Sequence, residues 1–111
     1  MNHLNSVLIE GVLCDNAVFY KGVDNEERCA FGITSTRYYQ EDGALKKQVC
    51  NFSIRFSTPD LVKAARKYAQ KGRGVRVVGR LESTLGDAWV EAQHIEYKKN
   101  GTKRSSTKKQ A

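Results

Sequence analysis

One helix-opening signal, Thr58-Pro59-Asp60, sits in a chain whose apolar residues otherwise alternate with polar ones. A hydroxyl at the N-cap, proline at the first helical position and an acid near the positive helix end all favour a start there. Leu61, Ala64, Ala65 and Tyr68 then fall at i, i+3, i+4 and i+7, forming one apolar stripe. Lys63, Arg66 and Lys67 face outward, and Gly72 is placed to end the helix. The remaining segments have the period of extended backbone, whose side chains point to opposite faces in turn.

Residues 4–14 are apolar on both parities around Gly11, which suits a bent strand packed on two sides, as in a small barrel. Residues 15–27, with Asp15, Asn16, Gly22, Asp24 and Asn25, read as a loop or irregular hairpin around Phe19–Tyr20. Cys29, Phe31 and Ile33 alternate with Ala30, Gly32 and Thr34, and this strand runs on into Arg37, Tyr38 and Tyr39. QEDGALKK at 40–47 reads as a polar connection, after which Cys50, Phe52, Ile54 and Phe56 alternate with Asn51, Ser53 and Arg55.

After the helix, KGRGVRVVGRL at 71–81 sets Val75, Val77 and Leu81 on one parity and Arg76, Val78 and Arg80 on the other. Lys71 and Arg73 lie in the turn leading in, and no acid interrupts 71–80. Such a face suits an extended polyanion; it also suits an edge strand that carries charge to avoid aggregation. Gly86-Asp87 marks a tight hairpin, and a last strand covers 88–97. Five strands with one helix between the third and fourth predict an all-β, five-stranded Greek-key OB barrel over residues 1–97. That fold commonly binds oligonucleotides or oligosaccharides.

The formal charge of +7 is unevenly placed. Of the 19 cations six lie in 98–111, where no acid stands, so 13 cations meet 12 acids in the rest of the 111 residues. Residues 98–111 are expected to be a basic, solvated tail. Cys14, Cys29 and Cys50 form no C-x-x-C pair, and His3 and His94 are far apart in sequence. This predicts no zinc site, no disulfide framework and a reducing, cytoplasmic setting. No signal peptide and no membrane span are expected. The sequence holds no phosphate-cradling loop followed by G-K-[ST] and no nucleophile–base spacing, so neither catalysis nor a cofactor is expected.

The segments LNSVLIEG, CAFGITSTRYY, KGRGVRVVGRL and AQHIEY, in this order, resemble the bacterial single-stranded DNA-binding protein family over about residues 2–97. The resemblance implies a homotetramer of OB barrels, with a dimer as the other option, that wraps single-stranded DNA without strong sequence preference. It implies a cytoplasmic, nucleoid-associated role in DNA replication, repair and recombination. Tyr39 matches a base-stacking aromatic of the family, with Tyr38 beside it, and such platforms accept any base. Lys71 matches a cation near the phosphate path. Arg37, Arg55 and Arg73 are further phosphate candidates, with Arg76 and Arg80 on a strand that also builds subunit contacts in the family.

Three departures matter. Where the family has an aromatic at the start of its third strand this chain has Asn51, and Phe56 is the candidate replacement at that corner, with Phe52 assigned to the core. The last hairpin, long in many members, shrinks here to LGDA; Trp89 after it either faces outward to stack on a base or packs against another subunit. Family members commonly end in an acidic tip that recruits replication and repair proteins, whereas this chain ends KKNGTKRSSTKKQA. That tail either adds phosphate contacts or belongs to a shortened chain. The alternative function is a primosomal-type OB adaptor that acts mainly through protein contacts.

Overall fold

The computed structural model describes residues 2–99. The strands are β1 (Val7–Leu13), β2 (Val18–Lys21), β3 (Glu27–Glu41), β4 (Ala44–Phe56), β5 (Gly74–Thr84) and β6 (Asp87–Tyr97), with α1 (Pro59–Tyr68) between β4 and β5. In space they run β1-β5-β6-β4-β3-β2, and β1 also pairs with β3, closing a five-stranded barrel from which β2 hangs as an extra edge. All pairings are antiparallel except β4 with β6, where Ile54 faces Val90 and Arg55 faces Glu91. This is the expected OB architecture with a sixth strand. The hairpin around Phe19–Tyr20 is regular enough to pair Val18 to Lys21 with Ala30 to Glu27. From residue 100 the basic tail lies outside the described residues.

Closure depends on Gly11. It pairs with Val75 on β5, and the next two residues, Val12 and Leu13, cross over to Thr34 and Ile33 on β3. A Cβ at position 11 would lie 2.6 Å from the Thr34 carbonyl oxygen, so only glycine lets β1 serve both neighbours.

Leu13, Cys29, Phe31, Ile33, Ile54, Phe56, Val75, Val77, Val90 and Ala92 fill the barrel, and α1 plugs one end with Val62 and Ala65. The helix is turned slightly from the expected stripe. Val62, Ala65 and Ala69 are buried, while Leu61, Ala64 and Tyr68 lie half-buried at the flank. The Thr58 hydroxyl makes no capping bond; its carbonyl accepts the Val62 N–H, and Pro59 and Asp60 set the start as expected. Leu81 shares the parity of Val75 and Val77 yet is 52% exposed, although Val90 opposite it on β6 is buried, because it borders an open groove at the barrel rim. Asn5 clamps the backbone there, donating to the Leu81 carbonyl at 2.8 Å and accepting the Leu81 N–H at 2.9 Å.

The segment at 40–47 is the largest correction to the fold. It is a two-residue turn, not a loop: Asp42 (φ 53) and Gly43 (φ 77) join Glu41 to Ala44, and pairing is unbroken back to Cys29 opposite Phe56. Positive φ at both turn residues gives the twist that a two-residue hairpin needs. The paired arm beyond Ile33–Phe52 extends about 27 Å at roughly 3.4 Å per residue.

Candidate nucleic-acid interface

The register sorts the side chains of β3 and β4 onto two faces. One continues the barrel interior: beyond Ile33 and Phe52 it carries Arg37 opposite Gln48 and Tyr39 opposite Lys46. The other continues the barrel's outer wall: Ala30 opposite Arg55, Thr34 opposite Asn51, Thr36 opposite Val49, and Tyr38 opposite Lys47.

On the outer wall the Arg55 guanidinium lies 4.5 Å from the centre of the Trp89 ring, close enough for a cation–π contact. Its Nη2 is 2.9 Å from Asp87 Oδ2. The Trp89 Nε1 donates to Glu91 Oε1 at 3.3 Å. Beside Trp89 a groove of about 270 Å³ opens at the barrel rim, reaching inward to Phe52, Leu81 and the buried Val90 and bounded by Asn51, Ser53 and Ala88. The Thr34 hydroxyl donates to Asn51 Oδ1 at 2.9 Å, and Cys14 Sγ lies 3.1 Å from the same hydroxyl. Farther out, Tyr38 is 63% exposed. Trp89 therefore faces outward from β6, half-buried beneath the Arg55 guanidinium and bordering the groove.

The opposite face of the arm holds the Arg37–Tyr39 pair. Arg37 Nε and Nη2 both donate to Gln48 Oε1, at 3.2 and 2.9 Å, which sets the guanidinium 4.9 Å from the centre of the Tyr39 ring. Tyr39 is half-buried in consequence. Among the described residues Arg37, Lys46 and Lys47 have no carboxylate within ion-pair distance, so the arm carries uncompensated positive charge. The acids Glu41 and Asp42 stand at its tip.

The other candidates lie elsewhere. Phe56 is 2% exposed and packs edge-on against Phe31 at 5.8 Å, so its ring has no face to offer a base. It continues the buried parity of Ile54 and does not replace the missing aromatic. Lys71 is exposed in the turn after α1, its backbone N–H bonded to Asn16 Oδ1 at 2.8 Å. That turn borders the β1–β2 connection, whose Cys14 N–H bonds the Gly32 carbonyl, so Lys71 stands at the margin of the outer wall. Arg73 turns toward the helix: it is half-buried, with its Cζ 5.3 Å from the centre of the Tyr68 ring.

Arg76 and Arg80 do point outward, but from β5, on a different side of the barrel. The acid-free run at 71–80 is not an acid-free surface. Arg76 lies in register between Glu10 of β1 and Glu96 of β6. Its Nε and Nη2 bond Glu10 Oε2 at 3.0 and 2.7 Å, and Glu96 is 3.7 Å from Nη1. The hydrogen bonds and charge of Arg76, with Lys98 nearby, hold the Glu10 carboxyl below its usual range. Arg80 is paired with Glu82. This cationic strand is thus neutralised by its neighbours.

The sequence does not single out Lys46 and Lys47, because the segment bearing them has the composition of a polar connection. Asp42-Gly43 was the available signal: aspartate–glycine is a favoured two-residue hairpin turn.

Known proteins set this geometry in context. The model of the Single-strand binding protein family matches residues 4–109. No curated protein sequence matches the chain. The fold is similar to that of a Plasmodium falciparum SSB solved in complex with ssDNA, with a TM-score of 0.79 at 16% identity, covering 89% of this chain and 98% of that one. It is also similar to a deletion mutant of the single-stranded DNA-binding protein from Thermus aquaticus, with a TM-score of 0.72 at 17% identity, covering 87% of this chain and 51% of that one. A small single-stranded DNA-binding protein from Streptomyces coelicolor gives a TM-score of 0.69 at 21% identity, covering 88% and 94%. At these identities the structural likeness concerns the fold, while the family match spans nearly the whole sequence. The chain belongs to the single-strand binding protein family.

Proposed function

We propose that this protein binds single-stranded DNA without strong sequence preference and without catalysis, along the outer wall of β3, β4 and β6 and the projecting arm. The observation that carries this reading is the open ring of Tyr38 on the same wall as the Arg55–Trp89 stack, with Lys47 directly opposite Tyr38. Rings accept any base, and the arm cations meet phosphates at little sequence cost. Tyr39 and Arg37 on the reverse face serve a strand that wraps round the arm. Lys71 extends the track at its margin, while Arg73, Arg76 and Arg80 contribute less because each is already engaged.

The protein acts as a homo-oligomer, a tetramer by family likeness. The face of β1 and β5 supports this. Leu8 is 65% and Val12 46% exposed there, beside the Glu10–Arg76–Glu96 cluster, and this surface stays free for a second copy when DNA occupies the arm. In the cell the protein would protect single strands during replication, repair and recombination. Oligo-dT titrations at several salt concentrations test the binding. With about three arm cations neutralising phosphates, the log–log slope should be near −2. Binding absent, or indifferent to salt, refutes the phosphate track.

A further inference from the structure

The Leu85-Gly86 turn joins Thr84 to Asp87 with no residues to spare. It therefore delivers Asp87, the first residue of β6, to the edge of the wall where Arg55 stands. Asp87 Oδ2 meets Arg55 Nη2 at 2.9 Å while its Oδ1 accepts the Ala88 N–H at 2.9 Å, so the carboxylate is held at both oxygens. The guanidinium is at the same time laid on Trp89. Both side chains of the pair remain accessible, at 34% for Arg55 and 51% for Asp87, so an incoming anion can reach them.

We propose that Asp87 is an internal competitor for the nucleic-acid phosphate. It occupies on Arg55 the place a phosphate would take and cancels the Arg55 charge, on a platform where Glu91 already accepts the Trp89 N–H. This inference rests on the binding surface proposed above. A carboxylate is a suitable competitor because its Oδ2 offers Arg55 Nη2 an anionic acceptor oxygen of the kind a phosphate would bring, while Oδ1 is kept on the Ala88 N–H. The paired unit has no net charge, so it adds no counterion release when a strand binds. The Arg55–Trp89 platform stacks bases without holding the backbone, and the strand is kept mainly by the arm. A short hairpin places this brake where a longer one would carry its first β6 residue away from Arg55.

The test is Asp87→Asn, which keeps the oxygen that accepts the Ala88 N–H and removes only the charge. Oligo-dT binding by full-length wild type and variant is measured across a salt series, with Arg55→Gln and the double variant alongside. Freeing one cation should steepen the log–log slope by about 0.7 and tighten binding at low salt, with the curves converging at high salt. In the Arg55→Gln background the Asp87 change should leave the slope unmoved. Asp87→Ser repeats the measurement should the asparagine variant fold poorly. A structural role alone would weaken binding at every salt concentration and leave the slope alone. Wild-type binding with superposable slopes for wild type and both Asp87 variants overturns the competitor role by itself. Failure of the wild type to bind overturns the binding surface, and this inference with it.

Discussion

Removing the Tyr38 ring should weaken binding far more than removing its neighbour's. Tyr38 is 63% exposed on the outer wall, whereas Tyr39 is half-buried with one flank under the Arg37 guanidinium at 4.9 Å. One base stacked on an aromatic is worth about 1–3 kcal/mol. Tyr38→Ala should therefore raise Kd by roughly 5- to 150-fold at 1.4 kcal/mol per decade. Tyr39→Ala should cost under about 1 kcal/mol, because a half-buried ring already covered by Arg37 on one side offers a base less area than a full stack. Neither change removes charge, so the salt slope should stay at its wild-type value; Lys47→Gln, by contrast, should flatten it by about 0.7. Tyr38→Phe keeps the ring and should bind like wild type. Fluorescence anisotropy with labelled oligo-dT and oligo-dA reads all of this, and the loss should be similar for both oligomers. A larger effect at Tyr39 than at Tyr38, or a loss confined to one base, would refute the assignment of the outer wall as the stacking surface.

Two further outcomes concern the scaffold. Gly11→Ala puts a methyl group 2.6 Å from the Thr34 carbonyl oxygen, so urea unfolding should show a loss of about 1–3 kcal/mol; an unchanged midpoint would mean β1 closes the barrel differently. Burial pushes the Cys29 thiol up to about 11 and raises the Tyr97 hydroxyl as well. Both groups ionise more readily once unfolded; the Cys29 contribution is complete below about pH 8.5 and falls away as pH rises through about 11, and the Tyr97 contribution is lost at higher pH still. Thermal melts should decline over that window, and Cys29→Ala should make the decline shallower; an identical pH profile would contradict a buried thiol.

Much of the barrel was legible because its strands each have one face in a core, and alternation records that directly. Cys29, Phe31, Ile33, Ile54, Val75 and Val77 all went where their parity sent them. The arm was not legible by the same means. Outside the barrel neither face has a core to meet, so 40–47 looked like a loop although it is strand on both sides of Asp42-Gly43. Parity also cannot say which outward surface a residue joins. Arg76 and Arg80 were correctly outward, but their surroundings are set by Glu10, 66 residues away in sequence, and by Glu82 and Glu96. Phe56 shows the reverse case: its alternation with Arg55 marks it as interior, and burial in the core outweighs the aromatic position left open by Asn51.

The most direct measurement is a titration of the isotopically labelled protein with oligo-dT, following backbone amide signals. Perturbations should concentrate at Thr34, Tyr38, Lys47, Asn51, Arg55 and Trp89, and leave Leu8, Glu10, Arg76 and Glu96 in place. Shifts centred on the β1–β5 face, with the arm silent, would contradict the account.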